Sequence, residues 1–153
     1  LLMPRVTGTI PFVSATVVTA DGAQIPSHVD AVLNAAAMTT HDPGRDAQLR
    51  GDRFFDVARF PTIAFASERV VATGPLTFAI QGELTMHGVT HALTLDARLA
   101  RITHDASGRP RARYEATGRF RRSDFGMVYA RGIVSNDVRL DVVLETVGPL
   151  APR

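Results

Sequence analysis

The sequence predicts an all-β protein: an antiparallel up-and-down sheet of seven long strands, with one short helical insertion. Three observations carry this. Apolar and polar residues alternate with period two through most of the chain, as half-buried strands require. Clusters of Gly, Pro, Asp and Ser punctuate the alternating runs where turns belong. A single stretch, 41–61, loses the alternation and carries helix signals instead.

The first strand is expected over roughly 6–20, closed by the turn sequence DGAQ at 21–24, and the second over roughly 27–38. In the insertion, Asp42 or Asp46 is placed to cap a short helix over 45–50, and Gly51 to stop it. The third strand covers 62–72 and ends at Gly74-Pro75. The fourth, 75–86, puts Leu76, Phe78, Ile80, Leu84 and Met86 on one face and Thr77, Gln81, Glu83 and Thr85 on the other. HGVTH, with Gly88, is short enough for a hairpin turn. The fifth strand, 91–103, alternates Leu93, Leu95, Ala97 and Leu99 with Thr94, Asp96 and Arg98. HDASGRP at 104–110 turns the chain into a sixth strand, 111–122, where Tyr114, Ala116, Gly118 and Phe120 share a face. The seventh alternates Val138, Leu140, Val142 and Leu144 with Arg139, Asp141 and Glu145.

At 153 residues the chain is expected to form one domain over 1–153. It has no Cys, which excludes disulfides, thiol catalysis and cysteine-ligated metal centres. No apolar run approaches the ~18–20 residues of a membrane-spanning helix. All 17 basic residues are Arg, set against 15 acids, so the net charge is only +2. The pI of 9.9 reflects the absence of groups titrating between His and Arg more than a basic surface. Arg109, Arg111, Arg113, Arg119, Arg121 and Arg122 alternate with small or apolar residues, which reads as the outer face of strands. No nucleic-acid partner is therefore expected. The opening LLMPR has neither a charged n-region nor an apolar h-region of a signal peptide, and the compartment, exported or cytoplasmic, stays open.

Catalysis is not expected, and no catalytic residue is assigned. There is no G-x-S-x-G elbow, phosphate loop or H-E-x-x-H; Ser67 and Ser123 stand beside acids near strand ends. Of the five His, His87 and His91 flank one turn without a third ligand in reach, so no metal site is expected and His87 reads as solvated.

Three motifs give the chain a likeness. RDAQLRGDRFFDVARFPTIAFAS at 45–67 carries Arg45, Asp46, Leu49, Arg50, Phe54, Phe55, Asp56, Pro61, Ile63, Phe65 and Ser67. GELTMHGVTHALTL carries Gly82, Leu84, Thr85, Gly88, Val89 and Thr90, and RRSDFGM carries Arg122, Asp124, Phe125 and Gly126. In these motifs, and from about Val6 to Val147, the chain resembles the YceI-like family, lipocalin-like bacterial proteins that bind polyisoprenoids and other long lipids. It departs from the family pattern at Gly51 and Gln48, where Ser and often His stand.

The resemblance implies an eight-stranded lipocalin-like barrel around a lipid tail. Seven strands fall one short: an antiparallel meander closes only with an even count. An N-terminal strand is thus expected to be missing from this chain or supplied by a partner, and the exposed edges predict a homodimer. Strands of ~11 residues would span roughly 37 Å, room for several isoprene units. The implied function is non-catalytic binding, transport or sequestration of a long-chain amphiphilic lipid such as a polyisoprenoid or isoprenoid quinone, with no cofactor. The alternatives are a side-chain-filled barrel serving as an interaction or structural module, and a lipid-acting hydrolase. The candidate tunnel residues are Ile63, Phe65, Phe78, Ile80, Leu84, Met86, Leu93, Leu95, Phe120, Phe125 and Leu144. For a phosphate or quinone head group the candidates are Arg45, Arg50 and Arg122, oriented by Asp46 and Asp124. The competing reading of the same residues is an Asp46–Arg50 helix pair and an Arg122–Asp124 strand-end pin.

Overall fold

Residues 6–130 and 132–149 are described by the structure, a computed structural model. They form one antiparallel sheet in the order β1-β2-β3-β4-β5-β6-β7, each strand pairing with its sequence neighbours. The strands are β1 (Phe12–Val18), β2 (His28–Asn34), β3 (Thr62–Ala72), β4 (Thr77–Met86), β5 (Val89–His104), β6 (Pro110–Arg121) and β7 (Asp137–Val147). Among the described residues a single α-helix, α1 (Pro43–Arg50), lies in the insertion between β2 and β3.

The alternation read from sequence is the alternation of burial. Along β4, Phe78, Ile80, Leu84 and Met86 are buried, and so are Leu93, Leu95, Ala97 and Leu99 along β5. Cross-strand partners share a face, so the inner face runs through Leu33↔Ile63, Phe65↔Leu84 and Ile80↔Leu95. Two glycines lie on it where the packing is tight. A Cβ on Gly82 would stand 2.3 Å from the Ala66 carbonyl oxygen and 2.7 Å from the Phe65 ring. One on Gly118 would meet Leu95 at 2.6 Å. Large side chains of neighbouring strands therefore lie directly across these positions, and no other residue fits without displacing them.

Several boundaries differ from the sequence reading. β1 begins only at Phe12, since Pro11 has no N–H to give a ladder; upstream, Thr9 and Thr39 form an isolated bridge. β2 stops at Asn34, and Ala35–Ala37 coil into a 3₁₀ turn, in keeping with the poor strand propensity of Ala. The cap of α1 is Asp42, whose carboxylate accepts the Arg45 N–H at 3.1 Å ahead of Pro43 in the first turn; Asp46 is not the cap. Gly51 ends the helix. A second 3₁₀ turn, Arg122–Phe125, follows β6 and was not expected.

The two ends of the curled sheet differ. At the end holding α1 and the β4–β5 turn, Ala35, Met38, Met86, Phe125 and Met127 are all under 5% exposed and fill the interior. Phe125 is fully buried, edge-on to Phe120 at 5.4 Å. Toward the other end, the inner residues of β6 and β7, from Tyr114 and Ala116 to Val142 and Leu144, are only half-buried. Among the described residues β1 and β7 do not pair, so the sheet is a half-barrel with an open seam.

Candidate functional site

The open end contains an apolar pocket. Val17 of β1 and Val29 of β2, with Pro26 before it, form one wall. Tyr114 and Ala116 of β6 with Val142 and Leu144 of β7 form the other, and Phe78 of β4 lies between. The cavity itself is small, about 50 Å³, and it is continuous with solvent. Residues from both edges of the sheet thus face each other across one hollow, which is the direct sign that the sheet curls. The hollow exists because inward positions here are small or short: Ala97, Ala116, Val142 and Val29 occupy levels where two bulkier chains would meet. Phe78 and Tyr114 stack edge to face at 6.2 Å and set its depth.

The predicted tunnel residues fall into two groups. Phe78 and Leu144 line the hollow. Ile63, Phe65, Ile80, Leu84, Met86, Leu93, Leu95 and Phe125 are buried in the core cluster, and Phe120 is packed against it. Val17, Pro26, Val29, Tyr114, Ala116 and Val142 line the hollow without having been singled out as tunnel residues. The inward face of β6 and β7 was legible from alternation; that it stayed open was not.

The head-group candidates gather at the filled end. Asp46, only 6% exposed, turns back from α1 to the preceding loop. Its carboxylate accepts the Thr40 N–H at 2.8 Å, the Thr40 hydroxyl at 2.5 Å and the Thr39 hydroxyl at 3.2 Å. The Thr40 hydroxyl above all holds the acid below its ordinary value of 3.8. Arg45 donates to the Thr40 hydroxyl and carbonyl, and Arg50 to the Met38 carbonyl. These contacts knit α1 to the 38–40 segment; no Asp46–Arg50 ion pair forms within 4 Å among the described residues. Arg50 Nε is buried with no hydrogen-bond partner.

Arg122 is 6% exposed. It donates to the carbonyls of Ser135, Met127, Tyr129 and Val134, at 2.9–3.2 Å, and so anchors the loop between β6 and β7. Asp124 meets Arg121 at 3.5 Å and His91 at 3.9 Å.

Two histidines have structural partners. His87, expected to be solvated, is half-buried: its Nδ1 donates to the Phe125 carbonyl at 2.9 Å and its ring packs on Phe60. The positive φ of His87 and Gly88 gives the tight β4–β5 turn, and this bond ties that turn to the filled end. His28 joins a chain that the sequence did not announce. Its Nε2 donates to the Asp30 carboxylate at 2.7 Å, and its Nδ1 lies 3.2 Å from Ser67 Oγ. Ser67 Oγ in turn accepts the Val29 N–H at 2.8 Å, beside the bulge between Ser67 and Arg69. Ser67, 8% exposed, here supplies an acceptor to Val29 just past Asp30↔Ala66, the last β2–β3 pair.

Comparison with known proteins places this architecture. The model of the YceI-like domain matches residues 1–146. The chain belongs to the YceI-like family. A UPF0312 protein of Enterobacter sp. (strain 638) is 37% identical over 119 residues, covering 78% of this chain and 62% of that protein. A UPF0312 protein of Yersinia pestis is 35% identical over the same coverage. The chain thus matches less than two thirds of the length of these curated relatives. Among solved structures, the Campylobacter jejuni YCEI protein superposes with a TM-score of 0.89 at 22% identity, covering 97% of this chain and 88% of that one. Burkholderia cenocepacia BcnA gives 0.73 at 18% identity, covering 87% and 82%. A polyisoprenoid-binding domain from Saccharophagus degradans gives 0.58 at 16%, covering 94% and 95%. These structural likenesses establish the lipocalin-like fold.

Proposed function

We propose that this YceI-like chain binds a long-chain amphiphilic lipid, a polyisoprenoid, isoprenoid quinone or relative, and carries or sequesters it without chemical change. The observation that carries the reading is the apolar hollow between the two edges of the sheet, with hydrocarbon side chains on every wall. A polar ligand would leave its hydrogen-bonding groups unmatched there. Each buried CH₂ of a tail contributes on the order of 0.8 kcal/mol, so a few isoprene units give useful affinity. The structurally related polyisoprenoid-binding domain supports the choice of lipid class. The hollow accommodates part of a tail, and the rest is proposed to leave along the open seam. Of the head-group candidates, Arg50 keeps an unmatched buried donor and is proposed to meet a ligand oxygen or a bridging water there.

The test is native mass spectrometry with organic extraction, followed by titration with fluorescent polyprenol and quinone analogues. Stoichiometric uptake is expected. No copurifying lipid and no uptake of either analogue would reject the reading. An unchanged affinity and lipid-class preference in Arg50→Ala would remove Arg50 from head-group recognition.

A further inference from the structure

The rim around the open hollow has a chemistry that the hollow does not explain. β5 runs past its partner: Thr77, the first residue of β4, pairs with Arg98, and β5 continues six residues further to His104. The β5–β6 hairpin therefore projects beyond β4 at the hollow's end, with β7 alongside it up to Val147. Between 101 and 113 it carries Arg101, Arg109, Arg111 and Arg113 against one acid, Asp105. Arg113 is paired with Glu115 and Glu145. Arg101, Arg109 and Arg111 are exposed and make no ion pair among the described residues. Asp105, whose carboxylate accepts the N–H groups of Ser107 and Arg109 in the turn, offsets one of these three charges.

The same rim exposes apolar side chains. Val18 ends β1 at 47% exposure, Leu76 precedes β4 at 43%, Ile102 lies near the hairpin tip at 48% and Val147 ends β7 at 52%. They come from four strands or turns that are far apart in sequence. The register sets Val147 beside Arg111 and Ile102 beside Ala112, the Leu76 carbonyl accepts the Leu99 N–H, and Val18 follows Val17, which lines the hollow. Exposed apolar groups scattered singly mean little, but a rim of them beside unpaired cations does. Hydrocarbon groups and guanidinium groups on one projecting edge match the boundary between acyl chains and anionic headgroups.

We propose that this rim docks the protein on an anionic bilayer, with Ile102, Leu76, Val18 and Val147 at the acyl boundary and Arg101, Arg109 and Arg111 among the phosphates. Docking in this sense turns the mouth of the hollow toward the membrane, so that a tail passes between bilayer and protein without crossing water. This consequence rests on the lipid-binding reading; the docking itself does not.

The experiment is co-sedimentation of the chain with vesicles of phosphatidylcholine alone or with 30% phosphatidylglycerol. The expected result is binding to the anionic vesicles, falling at least tenfold without phosphatidylglycerol and steeply in 0.5 M salt. Each rim arginine is expected to be worth about fivefold, so Arg109→Ala with Arg111→Ala lowers binding by more than tenfold. Ile102→Ser with Val147→Ser weakens it comparably at unchanged melting temperature. Ile133→Ser, exposed at the filled end, leaves it unaltered. Failure to sediment with anionic vesicles, or binding indifferent to the rim variants, overturns the proposal. Polyprenol uptake from detergent solution separates the two readings. Uptake without vesicle binding sinks the docking alone, whereas vesicle binding without uptake sinks the lipid-carrier reading and leaves the docking standing.

Discussion

Single side chains decide which end of the half-barrel is solid. Arg122 is the clearest case. The stretch RRSDFG reads as a strand-end pin before it reads as a ligand-facing guanidinium, and sequence gives no direction to the side chain. The structure aims the guanidinium at four backbone carbonyls of the 127–135 loop, and the loop in turn closes over Met127 and Phe125. A buried cation with that many acceptors is costly to truncate. Arg122→Ala is expected to lower the unfolding free energy by roughly 2–4 kcal/mol in urea melts. Arg122→Lys recovers less than half, since an ammonium cannot fork toward several carbonyls. A loss under about 0.5 kcal/mol for the alanine variant would show that the loop holds without it. Ser67 teaches a related lesson: it was noticed for its neighbour Glu68, whereas its bonds run to Val29 and His28 on another strand.

Strands and turns were the most legible part. β3 matches its expected span at both ends, and β4 to β6 deviate by one or two residues, because strict alternation, Gly-Pro and His-Gly leave little freedom. The misjudged pieces were those whose local signals conflict with their partners, such as Pro11 inside a strand-like run and Ala35–Ala37 at the end of one. β6 links this layer to the site. Its inward face carries Ala116 at the hollow, where a bulkier residue would have filled the space, and Gly118 against Leu95, where nothing larger fits. Ala116→Phe is expected to occupy the hollow, keep or slightly raise the melting temperature, and reduce polyprenol uptake at least tenfold. Undiminished uptake with the ring in place would put the ligand elsewhere.

For the molecule as a whole, the decisive feature is the unpaired seam between β1 and β7. Both strands present backbone donors and acceptors with nothing across from them among the described residues, and β1 exposes Phe12, Val13 and Val18 besides. Such edges recruit a strand. Size-exclusion chromatography with light scattering on this chain is expected to give a homodimer at micromolar concentration; a monodisperse monomer across that range would contradict the edge argument. Alternation was enough to specify seven antiparallel strands and their inward faces, and cap residues a short helix over 45–50 that the structure begins two residues earlier, since period, turn and cap chemistry are local properties of the chain. Where the inward side chains meet and where they stand apart depends on which residues from distant strands share a level. Only the folded sheet sets Phe125, Met127 and Met38 together as a plug, and Ala116, Val29 and Val142 around a hollow.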